Sequence, residues 1–298
     1  MRILVFGSLN IDKTYLVDHL VLPGETIAAK EMNLYCGGKG FNQAIALRRA
    51  GNEVWFAGAV GFDGDMLINA LRNNGIHSDY VKQLPCCSGH AVIQVDQAGQ
   101  NSIMILAGSN AEIDSLYISK TLEDFDAGDL IVLQNEIANV EEIIKQARDK
   151  NMVIAFNPSP YNEQVAQCNL SLVDYLLINE TEGETISGTK TPDAILQKLH
   201  QKYPPMNILL TLGSKGAVFM TAKGDITRTS AYPVKAVDTT AAGDTFTGYF
   251  LSELLRHGNA SIALKKSAIA AGIAVTKKGA EPSIPLIEDV QKVYDAVL

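Results

Sequence analysis

The stretch Asp238-Thr239-Thr240-Ala241-Ala242-Gly243-Asp244-Thr245-Phe246 opens a helical pattern that runs from Ala242 to Arg256. Its small side chains let backbone N–H groups come close to a ligand. The first N–H groups of a helix have no internal partner and carry the positive end of its dipole. Together they form a ready anion site, of the kind that suits charge developing on a transferring phosphoryl group. Asp244 stands where it can accept a proton from an attacking hydroxyl. An acid in a first helical turn can equally be a plain cap, and from this stretch alone both readings stand.

Outward from it, buried strands alternate with amphipathic helices along most of the chain. Ile3–Phe6, Val54–Val60, Leu130–Gln134, Val153–Phe156, Tyr175–Ile178, Ile208–Leu212 and Ala217–Thr221 read as strands. Phe41–Ala50 reads as a helix closed by Gly51 at the C′ position. Asp63 reads as the cap of a helix that reaches Leu71. Glu141–Asp149, Pro192–His200, Ile262–Thr276 and Ile287–Val297 read as further helices. This alternation predicts an α/β fold, a three-layer α/β/α domain with a mostly parallel central sheet. Two segments depart from it. Residues of about 11–36 lack a strong helix, and within 88–108 the runs Gly89–Val95 and Ser102–Leu106 read as a hairpin. Both are expected to form a small β-rich lid on a single domain that spans 1–298.

Composition excludes several classes. A net charge of −8 argues against nucleic-acid binding, which needs clustered Lys and Arg. No window has the length of a membrane span. The start Met1–Gly7 has too few apolar residues for a signal segment, so a cytoplasmic protein is expected. Cys36, Cys86, Cys87 and Cys168 have no metal-ligand spacing and read as reduced thiols.

Other segments carry weaker signals. Gly37-Gly38-Lys39-Gly40-Phe41-Asn42-Gln43 places glycines, a lysine and an amide before a helix, without the spacing of a Walker A loop. Asn179-Glu180-Thr181-Glu182 follows a buried strand, where ligands of α/β sheets gather. Asn179 and Glu182 can hold a Mg²⁺ directly or through water, or simply begin a helix. Thr211-Leu212-Gly213-Ser214-Lys215-Gly216 ends a strand in a loop that can follow polyphosphate, or turn a hairpin. Asn10, Asp12 and Glu136 are polar residues at strand ends.

Taken together, these segments resemble the ribokinase family of small-molecule kinases over nearly the whole chain. Asp238–Phe246 is similar to the family's D-T-x-[AG]-[AG]-G-D signature, Gly37–Gln43 to its G-G-x-x-x-N signature, and Asn179–Glu182 to its N-x-x-E motif. The resemblance implies a carbohydrate kinase that moves the γ-phosphoryl group of ATP to a small sugar, first of all D-ribose, giving ribose 5-phosphate. Asp244 would be the catalytic base, and Ala241, Ala242 and Gly243 the anion hole. Asn10, Asp12, Gly38, Lys39, Asn42 and Glu136 fall where the family holds its sugar. Asn179, Thr211, Gly213 and Gly216 would line the nucleotide site, with Asn179 and Glu182 placing Mg²⁺ partly through water. Lys277–Ser283 resembles the family's site for an activating K⁺. The ligands there would be Asp238, Ser283 and the carbonyls of Thr240, Ala274, Lys277 and Gly279. The resemblance also implies a homodimer formed through the lid strands.

Two positions depart from the family pattern. Ala241 replaces a common glycine, so a positive φ there would be strained. The chain is apolar around Ala268, where relatives often place a polar residue near the base. The alternatives are a kinase for fructose, a keto-deoxy sugar acid or a nucleoside, and a non-catalytic sugar-binding protein on the same fold. The hairpin lacks the aromatic residues that a nucleoside would stack on. A dinucleotide-dependent oxidoreductase is disfavoured because no G-x-G-x-x-G follows the first strand.

Overall fold

Strand β1 (Ile3–Phe6) is buried on both faces. Ile3 and Val5 join one apolar cluster, and Leu4 and Phe6 join a second on the opposite side. Successive side chains of a strand point to opposite faces, so a continuous apolar run needs helices above and below. The structure, a computed structural model, describes residues 1–297. After β1 come β2 (Asn10–Leu16), β3 (Glu31–Gly37), α1 (Lys39–Arg49), β4 (Val54–Val60), α2 (Asp65–Asn73) and β5 (His77–Gln83). Then follow β6 (Gly89–Val95), β7 (Asn101–Leu106), α3 (Ser115–Glu123), β8 (Leu130–Gln134), α4 (Val140–Asp149) and β9 (Val153–Asn157). The third part contains α5 (Glu163–Gln167), β10 (Tyr175–Asn179), α6 (Glu180–Ser187), α7 (Pro192–Lys202) and β11 (Asn207–Thr211). The chain closes with β12 (Ala217–Met220), β13 (Ile226–Thr229), α8 (Ala242–His257), α9 (Ala260–Ala274) and α10 (Ile287–Ala296).

Nine strands form the main sheet in the order β13-β12-β11-β10-β9-β8-β1-β4-β5. From β11 through β5 every pairing is parallel, and β12 pairs antiparallel with both neighbours. Helices α1, α8 and α9 contribute to the cluster on one face, α4 and α7 to that on the other. This is the three-layer α/β/α architecture that the alternation implied. A second sheet, in the order β3-β2-β6-β7, stands apart from it.

Some local readings are corrected. Asp63 does not cap α2: Gly64 holds the N-cap position, and the Asp63 carboxylate accepts a hydrogen bond from the Ser88 N–H at 2.7 Å. It therefore ties the start of α2 to the chain entering β6. Strands β5 and β13 and helix α3 carried no clear periodic signal. In β5, only Ser78 is buried, so a buried apolar run is missing. Gly51 does close α1, at φ 92°.

Candidate active site

Helices α1 and α8 begin side by side beneath the carboxyl ends of β1 and β8. Two close approaches permit this. A Cβ on Gly40 would lie 2.5 Å from the Ser8 nitrogen, and one on Gly248 2.5 Å from the Ala46 Cβ. The first turn of α1 thereby reaches Asp244 in the first turn of α8. Asp244 is only 8% exposed. Its Oδ2 accepts from Asn42 Nδ2 at 3.2 Å, and its Oδ1 from Gln43 Nε2 at 2.9 Å. Both side-chain amides thus hold the carboxylate as an acceptor.

Ala241, at the N-cap of α8, adopts φ 59° and ψ 9°, the left-handed conformation that alanine normally avoids. Among the described residues no acceptor is bonded to the N–H of Ala241, Gly243 or Asp244, whereas the Ala242 N–H donates to the Thr239 carbonyl at 3.2 Å. The open donors at the head of α8 are therefore those of Ala241, Gly243 and Asp244. Ala242 still lines the cavity through its other atoms. A Cβ on Gly243 would meet no atom within 4 Å, and Ala241, Gly243 and Asp244 all border the cavity.

That cavity brings together Lys39, Asn179, Glu182, Thr211 and the Ala241–Asp244 turn. Asn157, Ser159, Thr239 and Thr247 also line it. Sequence reasoning assigned none of these four a role, although Asn157 ends a buried strand, which is itself a signal. Asp244 is the main cause that holds the Lys39 ammonium above its ordinary pKa; burial opposes this, and Glu136 and Glu182 add to it. Asn179 and Glu182 form a capping box. The Asn179 Oδ1 accepts from the Glu182 N–H at 3.0 Å, and a Glu182 oxygen accepts from the Asn179 N–H at 2.9 Å. The same pair caps α6 and faces the cavity, so the two readings coexist.

On the acceptor side, Asn10 and Glu136 line a neighbouring cavity with Asn110 and Asn135. Asn10 Oδ1 accepts from Asn110 Nδ2 at 2.8 Å. Glu136 Oε2 accepts from Ser8 Oγ at 2.5 Å and from the Lys39 N–H at 2.8 Å. Burial pushes the Glu136 carboxyl upward, against the bonds from Ser8 and Lys39. Burial, with help from Glu136, raises Asp12 to about 7. Gly38 starts α1 at φ 95°, and the absence of a side chain on Gly37 leaves room for the Asp12 carboxylate.

A third cavity, of about 460 Å³, lies beyond the α8 turn and is lined by Thr211, Gly213, Gly216, Tyr232, Phe246 and Ala268. Its size and apolar lining suit a planar ring system. The Gly213 turn is also the hairpin between β11 and β12. Asp238 lies below the α8 turn. Its Oδ1 accepts from the Thr240 N–H at 2.9 Å, and its Oδ2 from the Gly279 N–H at 2.9 Å. Burial opposes ionisation there, but the bonds from Thr240 and Gly279 prevail and hold the Asp238 carboxyl below its usual range. The Ala274 carbonyl accepts from the Lys277 N–H at 3.1 Å, and Ser283 Oγ donates to the Ala280 carbonyl at 2.7 Å.

A buried acid at a helix head, with open N–H donors between a polar cavity and an apolar one, suits phosphoryl transfer to a small molecule. The model for pfkB family carbohydrate kinases matches residues 1–287, and the chain belongs to that family. It is 34% identical over 291 residues to a ribokinase of Haemophilus influenzae, with 94% of each chain covered. It is also 34% identical over 297 residues to a deoxyribokinase of Salmonella typhi, with 97% of each covered. Among solved structures, a ribokinase of Arabidopsis thaliana complexed with ribose and ATP superposes with a TM-score of 0.85 at 30% identity, over 98% of each chain.

Proposed function

We propose that this sugar kinase transfers the γ-phosphoryl group of ATP to the 5-hydroxyl of D-ribose. The observation that carries the reading is the buried Asp244 carboxylate, oriented by Asn42 and Gln43 beside open N–H donors. The ribokinase relatives supply the choice of sugar, and the Arabidopsis thaliana complex supplies the pairing of ribose with ATP. Ribose takes the polar side, held by Asn10, Asp12, Gly38, Lys39, Asn42 and Glu136. Carboxylates and amides can pair with several hydroxyls at once. The nucleotide base takes the apolar cavity, and its phosphates run past Thr211, Gly213, Gly216 and Asn179 to the α8 turn.

Asp244 orients the attacking hydroxyl and takes its proton. The N–H groups of Ala241, Gly243 and Asp244 donate to the oxygens of the group in transfer, where charge is spread in a loose transition state. Lys39 brings a positive charge to the same point. Asn179 and Glu182 fit a Mg²⁺ that keeps most of its water, since Glu182 is one buried carboxylate and no cluster of three such ligands exists among the described residues. When bound, that ion would neutralise charge on the phosphates. Asp238, Ser283 and the carbonyls of Thr240, Ala274, Lys277 and Gly279 are an all-oxygen donor set that suits K⁺. A monovalent ion there would add positive field below the turn. Asp238→Ala is expected to lower Tm through its lost bonds from Thr240 and Gly279 and to abolish the difference in Tm between solutions with and without K⁺.

The second sheet acts as a lid over the sugar and as the face of a homodimer. Ile103, Met104, Ile105 and Leu106 are all exposed on β7, and a second copy would cover them. Sedimentation should give twice the chain mass, and Met104→Glu half of that. The acidic charge weighs against nucleic-acid binding. Among the described residues no helix is long and apolar enough to cross a membrane; a cytoplasmic location is part of the proposal.

A second acceptor has specific support, because the deoxyribokinase relative is as similar as the ribokinase. Turnover measured by ADP release with Mg·ATP and K⁺ decides between them. Ribose preferred over 2-deoxyribose, fructose, keto-deoxygluconate and nucleosides supports the reading. Preference for another member overturns the sugar, and no turnover at all overturns the reaction.

A further inference from the structure

We propose that Gln43 and Gln134 form a directional chain of side-chain amides that positions Asp244 for proton acceptance. This rests on Asp244 being the group that takes the hydroxyl proton, as proposed above. Both glutamines are wholly buried, with 0% exposure. Gln134, the last residue of β8, donates from Nε2 to Gln43 Oε1 at 2.7 Å. Gln43 in turn donates from Nε2 to Asp244 Oδ1 at 2.9 Å.

The chain can run only one way. A side-chain amide has one acceptor end and one donor end. A carboxylate accepts, so Gln43 must turn its NH₂ group toward Asp244 and its oxygen toward Gln134. Gln134 must then present NH₂ as well. Its own oxygen is left buried with no partner, which costs free energy. The reverse orientation of Gln134 would satisfy that oxygen no better and would set two oxygens face to face at Gln43. Glycine at position 7 makes the arrangement possible, since a Cβ there would sit 2.3 Å from Gln134 Oε1. The end of β8 and the start of α1 are thereby tied to one carboxylate on α8, and Gly7, just after β1, packs against Gln134. The ionisable groups around Asp244 are Lys39 on α1, Glu136 beyond β8 and Glu182 on α6, and both acids act on the Lys39 ammonium together with Asp244. None of them bonds to either glutamine.

The roles are separable by substitutions of similar volume. Gln43→Met removes a hydrogen bond to a charged group, so kcat should fall roughly 10- to 100-fold with the sugar KM nearly unchanged. Gln134→Met removes only the neutral bond behind it, and about 3- to 10-fold is expected. Gln134→Glu gives a readout that a packing role would not move. Protonated, the new carboxyl can still donate to Gln43 Oε1. Ionised, it repels that oxygen and favours the wrong orientation. Burial raises the pKa of such a carboxyl.

The experiment measures kcat and sugar KM for wild type and these variants across pH, with circular dichroism to establish folding. The expected result is a Gln134→Glu to wild-type kcat ratio near one at low pH that falls as pH rises, while the Gln134→Met ratio stays flat. A flat Gln134→Glu ratio overturns the proposal. If neither Gln134 variant folds, unchanged kcat in Gln43→Met overturns it alone. Asp244→Asn separates the two levels. Normal turnover in Asp244→Asn defeats the proposed function itself, whereas an inactive Asp244→Asn beside a wild-type Gln43→Met defeats only the amide chain.

Discussion

The corner where α1 meets α8 and the outer strand of the second sheet invert the usual sorting of residues in opposite ways. At the corner, Asn42, Gln43, Gln134 and Asp244 are polar and buried. On β7, Ile103, Met104, Ile105 and Leu106 are apolar and exposed. Buried polar groups persist where they are held by one another, and exposed apolar rows persist where something covers them. The first region is assembled within the chain by contacts that leave no room for change. The second lies open on the surface, where the proposed second copy would cover it, and an exposed row tolerates change more readily.

Substitutions at glycine should expose this difference most strongly. Gly40→Ala places a methyl group against the backbone of Gly7 and Ser8. Overpacking of that kind costs about 1–3 kcal/mol, and a displacement of the reacting groups on the order of 1 Å costs about 100-fold in rate. We therefore expect kcat/KM to fall at least about 100-fold. Gly99→Ala, at the tip of the β6–β7 hairpin, meets no atom within 4 Å. Only its positive φ is penalised, so stability should fall by about 1 kcal/mol with kcat unchanged. Equal losses of rate in the two variants would erase the contrast.

A smaller effect should appear in the pH dependence of stability. Asp12 binds its proton more tightly in the folded state, with a pKa of about 7 against an ordinary value of 3.8. The folded form therefore carries more protons than the unfolded chain between those values. Its contribution to stability is fully present at low pH and is lost as pH rises toward 7. Urea unfolding without sugar should show stability declining over that window, by at most about 1.4 kcal/mol per pH unit. Asp12→Asn should flatten the slope. An unchanged slope in that variant would assign the effect elsewhere.

The smallest expected effect is at Ala241. Its left-handed backbone is strained, and glycine would relieve the strain while adding freedom to the unfolded chain. Ala241→Gly should be neutral or stabilising by up to about 1 kcal/mol, read as a Tm at or slightly above wild type, with activity kept. A clear loss of stability would mean that the turn depends on the alanine side chain.

Much of this was legible because the decisive features are local. Glycines, caps and apolar runs announced β1, α1, β8 and α8 within a residue or two, and the alternation of strand and helix predicted the three layers. The departure of Ala241 was visible as a missing glycine, and the structure does put it at positive φ. What stayed hidden depends on distance along the chain. Gln43 stands inside a quoted motif, yet its bond to Asp244 spans 201 positions, and that of Gln134 to Gln43 spans 91. No periodicity marks such a pair. Asp63 looked like a cap because caps are common, but its partner is Ser88, across the start of β6. Strand β5 was hidden because little of it is buried.

The central claim is that Asp244, presented by α1 to the open N–H groups of α8, takes the proton of the attacking hydroxyl. It is tested most directly by single-turnover phosphoryl transfer in Asp244→Asn, with ribose and ATP binding measured separately by calorimetry. The account predicts binding of both substrates within a few-fold of wild type and transfer slowed by at least about 10²- to 10⁴-fold. Transfer at the wild-type rate, with binding intact, would contradict it.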